Sequence, residues 1–121
     1  MSDMNIIIAA ADGRRMYSAL EAAIAWVALG KSVRVFFQGE AAALLRAPIT
    51  HAGDAARHAA GQPDLGWLVG EAGEMGVELF VCQSGLALVG MTMADADAIV
   101  RASGLIGFLS AIPPGAVTLT Y

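Results

Sequence analysis

Asn5-Ile6-Ile7-Ile8-Ala9-Ala10, then the polar turn Ala11-Asp12-Gly13-Arg14-Arg15, then a run from Met16 to Leu29, then Ser32-Val33-Arg34-Val35-Phe36-Phe37-Gln38: this succession decides the fold class. The first stretch is apolar and β-branched without in/out alternation, the pattern of a strand covered on both faces. Leu20, Ile24 and Val27 fall on one helical face, alanines fill the rest, and Gly30 is placed to end the helix. A strand, a helix and a second strand between Asn5 and Gln38 make one βαβ crossover. Such a unit implies parallel pairing and a right-handed connection.

The rest of the chain repeats the alternation. Gly39 breaks the second strand, and Glu40 to Arg46 reads as a short Ala/Leu helix. Ala47 to Pro63 has no long apolar period and reads as a loop, with a helical turn from Asp54 to Ala59. Asp64 is a helix N-cap, and the helix runs from Leu65 to Met75. Val77 to Cys82 is a third strand, and Gln83 to Met91 is a short helix or turn. A helical turn from Ala94 leads to a short strand near Ile99-Val100. Leu105 to Ala111 is a final helix stopped by Pro113-Pro114, and Ala116 to Tyr121 closes the sheet. The expected architecture is a single three-layer α/β domain spanning residues 1–121. It has a mostly parallel sheet of four or five strands flanked by helices, in the flavodoxin-like manner.

Composition narrows the function classes. The 121 residues carry Lys+Arg 7 against Asp+Glu 11, a net charge of −4, and no basic cluster larger than Arg14-Arg15. Nucleic-acid binding normally leaves a basic footprint, so no nucleic-acid partner is expected. Hydrophobic residues make up 57% and the mean hydropathy is +0.63, above the usual share of about 45–50%. The excess points to a subunit interface. The longest apolar stretch, within Tyr17 to Leu29, is interrupted by Glu21 and falls short of the ~20 residues of a membrane span. The N-terminal residues show no basic and cleavable leader pattern, so a cytoplasmic location is expected. A single cysteine forms no internal disulfide and builds no cysteine zinc site alone.

In parallel sheets ligands gather at the carboxyl ends of the strands. Three loops share that edge here: Asp12 to Arg15, Gln38-Gly39-Glu40, and Cys82 to Gly85. Asp12, Arg14, Gln38, Gly39 and Glu40 are therefore candidate pocket residues. Cys82 is the most informative residue. A thiol at a strand end, followed by Gln83-Ser84-Gly85 opening a helix, faces amide groups that stabilise a thiolate or persulfide anion. The bland alternative, a small buried hydrophobe, is equally common for free cysteine. His51 and His58 are candidate proton donors, or two solvent-facing loop histidines. As a metal pair they have only Asp54 as a nearby third ligand. Met75, Met91 and Met93 read as core filler.

Three stretches together resemble the DsrE/DsrF-like family of small sulfur-relay proteins. Val35-Phe36-Phe37-Gln38-Gly39-Glu40 is similar to the family's second strand and following turn. Val81-Cys82-Gln83-Ser84-Gly85-Leu86-Ala87-Leu88-Val89-Gly90-Met91 is similar to its cysteine segment, and Gly115 to Tyr121 to its terminal strand. The resemblance implies a parallel sheet with flanking helices, homo-oligomers (commonly trimers or hexamers) and no metal or organic cofactor. It also implies that Cys82 carries sulfur as a persulfide to a partner protein's thiol. With no second cysteine, transfer within one chain is excluded. The expected function is a sulfur carrier with sulfurtransferase-like chemistry. The alternative is a non-catalytic assembly subunit with a structural Cys82, and a small-ligand enzyme using Arg14 or Arg15 and a histidine is a third reading.

Overall fold

The computed structural model describes residues 3–121. The strands are β1 (Met4–Ile8), β2 (Val33–Phe37), β3 (Glu78–Cys82), β4 (Arg101–Ser103) and β5 (Val117–Thr120). They form one sheet in the order β4-β3-β2-β1-β5, and every pairing is parallel. The helices are α1 (Gly13–Ala28), α2 (Asp54–Ala59), α3 (Leu65–Glu74), α4 (Gln83–Leu88) and α5 (Leu105–Ser110). A 3-10 segment, Gly39–Leu45, follows β2, and a 3-10 turn, Met93–Asp95, precedes β4.

This order determines which face each connection covers. From β1 to β4 the chain steps across the sheet in one direction, so right-handed crossovers put all the intervening helices on one face. Only the last step, from β4 back past β3, β2 and β1 to β5, runs the other way, and it carries α5 to the opposite face. The sheet is thus three-layered but unevenly so. One face bears α1 and α3 over a large core that includes Ile6, Ile8, Leu20, Val35, Phe37, Leu68 and Val81. The other bears only α5, over a small cluster of Ile7, Phe36, Cys82 and Phe108. Phe36 and Phe37 are both fully buried, one on each face; each burial contributes roughly 1.5–3 kcal/mol. Among the described residues, no helix is long and apolar enough to cross a membrane.

Local signals set most boundaries. Asp12 caps α1, its carboxylate accepting from the Arg14 amide at 2.9 Å. The helix therefore begins three residues before the apolar run at Met16. Asp64 caps α3, accepting from the Trp67 amide at 2.8 Å, and α2 occupies the expected Asp54–Ala59. The short helix expected after Gly39 is present and is of the 3-10 type. One expectation is corrected. The strand expected near Ile99-Val100 is instead Arg101–Ser103. Val100 is buried and draws an apolar reading, but the ladder to β3 pairs Phe80 with Arg101 and Cys82 with Ser103. Register, which local propensity does not encode, decides that strand.

Candidate functional site

β3 delivers Cys82 to the carboxyl edge of the sheet, and α4 starts at the next residue. Because Phe37 pairs with Val81, the residues leaving β2 run alongside Cys82. Gly39 turns the chain out of β2 with φ +57, a left-handed conformation that a side chain disfavours. A Cβ on Gly85 would overlap the Gly39 carbonyl oxygen, so glycine at 85 is what lets α4 sit directly against the 3-10 segment. The result is a cradle around one sulfur atom. The Ser84 hydroxyl lies 3.0 Å from Cys82 Sγ, and the backbone amides of Gly39, Gly85 and Ser84 favour the thiolate form of the sulfur.

Cys82 is 6% exposed. Burial alone pushes its pKa up, because a thiolate loses water. The Ser84 hydroxyl, then the Gly39, Gly85 and Ser84 amides, outweigh that, and the pKa lies below the ordinary thiol value. Backbone amides converging on one point form an anion site whose donors need no reorganisation when charge appears. The arrangement suits a sulfur that spends time as an anion.

The other expected residues divide. Gly39, Ser84 and Gly85 meet at the sulfur, whereas Gln83 and Glu40 are exposed. Gln38 precedes the 3-10 segment and its side chain caps nothing. Asp12 is occupied by its cap and by Arg15 at 3.7 Å, and Arg14 is exposed. Two surface cavities lie elsewhere. One of about 360 Å³ sits at the opposite edge of the sheet beside Asp3, Trp26, Lys31 and Pro113. The other, of about 420 Å³, is bordered by His58, Pro63 and Trp67.

The histidines part company. His51 precedes α2, so no helical face is shared with His58. Its ring lies on Gly13 at the start of α1, where a Cβ would collide with it, and meets Tyr17 edge-on at 5.5 Å. His51 Nδ1 accepts from the Gly53 amide at 3.1 Å. His58 is exposed, its Nε2 2.8 Å from Asp64 Oδ2. Asp54, the third ligand considered for a metal, is committed to protein donors. It accepts from the Tyr17 hydroxyl at 2.5 Å and from the His51 and Leu65 amides at 3.1 Å.

A model of the DsrE/DsrF-like family matches residues 4–121. The chain belongs to that family. Two solved structures share the fold over the whole of both chains. The protein of unknown function MTH1491 from Methanobacterium thermoautotrophicum is 18% identical with a TM-score of 0.71. The ychN protein from E. coli is 15% identical with a TM-score of 0.74. No curated protein matches the chain in sequence. At these identities the likeness extends to the fold of this DsrE/DsrF-like chain and stops there.

The residue that sequence reasoning missed is Arg34. It is 8% exposed, on the same sheet face as Cys82. Its guanidinium donates to Phe108 O at 3.1 Å and to Asn5 Oδ1 at 3.4 Å, and lies 4.2 Å from the Phe108 ring centroid and 5.1 Å from that of Phe80. The signal was present. Thr118, Asn5, Arg34 and Glu78 align across β5, β1, β2 and β3. A polar residue at one matching offset in four neighbouring strands marks a face that a single short helix covers incompletely.

Proposed function

We propose that this DsrE/DsrF-like protein is a sulfur carrier whose working group is Cys82. The observation that carries the reading is the cradle of one hydroxyl and three amides on a sulfur with a lowered pKa. The Cys82 thiolate attacks the outer sulfur of a donor persulfide R–S–SH. A new S–S bond gives Cys82–S–SH while the old one breaks and releases R–S⁻. An acceptor thiolate from a protein partner then attacks that outer sulfur, takes it as its own persulfide, and restores the Cys82 thiolate. Nothing is oxidised or reduced overall, and the cradle stabilises the Cys82 thiolate with which the cycle begins and ends.

The proposed assembly is a homo-oligomer, a trimer or hexamer. Leu29 at 72%, Leu88 at 71% and Trp67 at 54% exposure supply apolar surface for contacts between subunits. Light scattering coupled to sizing chromatography tests this, and a monomer refutes it.

Intact mass after incubation with polysulfide tests the carrier reading. Native protein is expected to gain the mass of one sulfur atom, removable by a thiol, and Cys82→Ser to gain none. Equal loading of the variant, or no loading of the native protein, overturns it. A second reading is a non-catalytic assembly subunit, favoured by the low exposure of Cys82 and its place in an apolar cluster. It predicts a thiol that resists alkylation below pH 8.

A further inference from the structure

Cys82 ends β3 opposite Ser103, and the chain leaves Ser103 through Gly104 directly into α5. The helix therefore starts beside the cysteine and runs back over the sheet face on which the cysteine lies. α5 is held there by little. Phe108 is its only fully buried residue. That ring stacks on Phe36 at 4.9 Å, meets Phe80 edge-on at 6.0 Å, and shares one apolar cluster with Cys82 and Ile7. The Phe108 carbonyl is held by Arg34. Ile106 and Leu109 face outward, the latter 44% exposed. Gly104 precedes the helix, and Pro113-Pro114-Gly115 follows it. On the other face, α1 buries six residues over four turns. Elements with few buried anchors open locally at a small fraction of the global unfolding free energy.

We propose that α5 is a shutter over Cys82, latched by Phe108 in its socket between Phe36, Phe80 and the Arg34 guanidinium. With the shutter closed, only a small sulfur donor reaches the thiol. With Phe108 out of its socket, the cysteine face opens to a protein thiol. The biological meaning rests on the carrier reading of Cys82, while the shutter itself is a statement about access.

The test measures Cys82 alkylation by two reagents at one pH, small iodoacetamide and a bulky polyethylene-glycol maleimide, each rate taken relative to that on free cysteine. Native protein is expected to react readily with the first and slowly with the second. Phe108→Ala is expected to raise the maleimide rate by at least about tenfold, since truncating a buried phenylalanine strongly favours the open form, while the small reagent gains much less. Leu105→Ala trims a half-buried side chain at the start of α5 and guards against misfolding of the first variant; it shifts the ratio the same way by less. Hydrogen exchange on native protein is expected to be faster across 106–110 than across the buried turns of α1. A maleimide rate on native protein equal to the small-reagent rate overturns the shutter. So does an unchanged ratio in folded Phe108→Ala or Leu105→Ala. Polysulfide loading on the same samples separates the two ideas: a gated thiol that never loads refutes the carrier and leaves the shutter, and an ungated thiol that loads refutes only the shutter.

Discussion

Gly85 lies so close to Gly39 that a Cβ added to it would sit 3.0 Å from the Gly39 carbonyl carbon and overlap its oxygen. This backbone-to-backbone approach joins the start of α4 to the exit of β2, two segments 46 residues apart in sequence (85 − 39). It brings the amides of both to one sulfur. Gly85→Ala is therefore expected to separate the segments, costing about 1–3 kcal/mol of stability. It is also expected to move the pH midpoint of Cys82 alkylation upward. Gly70→Ala is the control: that glycine is exposed within α3 and a Cβ meets nothing within 4 Å, so the change is neutral or stabilising by about 0.5–1 kcal/mol. Urea melts and iodoacetamide rates check both.

Ser84→Ala isolates the hydroxyl at 3.0 Å from Cys82 Sγ. Ser84 is exposed, so unfolding should change by less than about 0.5 kcal/mol. Because the hydroxyl lowers the thiol pKa, its loss raises the midpoint of the alkylation profile and slows alkylation below that midpoint. An unchanged profile would remove Ser84 from the cradle.

Tyr17 and Asp54 form a titrating latch between α1 and α2. Burial, then the hydrogen bond to Asp54, pushes the Tyr17 phenol up to about 12. The folded chain therefore holds this proton where the unfolded chain has lost it. That stability is full below pH 10 and declines as pH rises from 10 toward 12, by about 2–3 kcal/mol. Asp54 shifts the other way. Burial raises it, but the Tyr17 hydroxyl and the His51 and Leu65 amides together lower it, so its contribution is present above the ordinary carboxylate range and lost in stronger acid. Tyr17→Phe should flatten the alkaline limb of stability against pH and cost about 1–3 kcal/mol near neutrality. A limb of native steepness in Tyr17→Phe would assign it to another group.

Arg34→Met is expected to destabilise by about 1–3 kcal/mol, because the buried Phe108 carbonyl and Asn5 side-chain oxygen lose their donor. Arg34→Lys should restore little, since an ammonium lacks the planar guanidinium that lies over the Phe108 ring, 4.2 Å from its centroid. Guanidinium melts of the two variants check this, and a full rescue by lysine would reduce Arg34 to a point charge.

The order of elements was legible in the sequence because local physics writes it. The β-branched run at Ile6-Ile7-Ile8, the spacing of Leu20, Ile24 and Val27, and the caps Asp12 and Asp64 each act over a few residues. Cys82 at the junction of strand and helix was legible for the same reason. The exact position of β4 was not, because Arg101–Ser103 is a strand only by virtue of the partner it finds in β3.

What the sequence by itself determined is a parallel α/β chain with one cysteine at its carboxyl edge, since periodicity and capping are short-range. Tertiary structure alone decided the surroundings of that cysteine. The contact of Gly85 with Gly39, the seat of His51 on Gly13 and the return of α5 under Arg34 all depend on strand order and on the handedness of crossovers. Those bring distant residues together through packing, and no local run of residues records them.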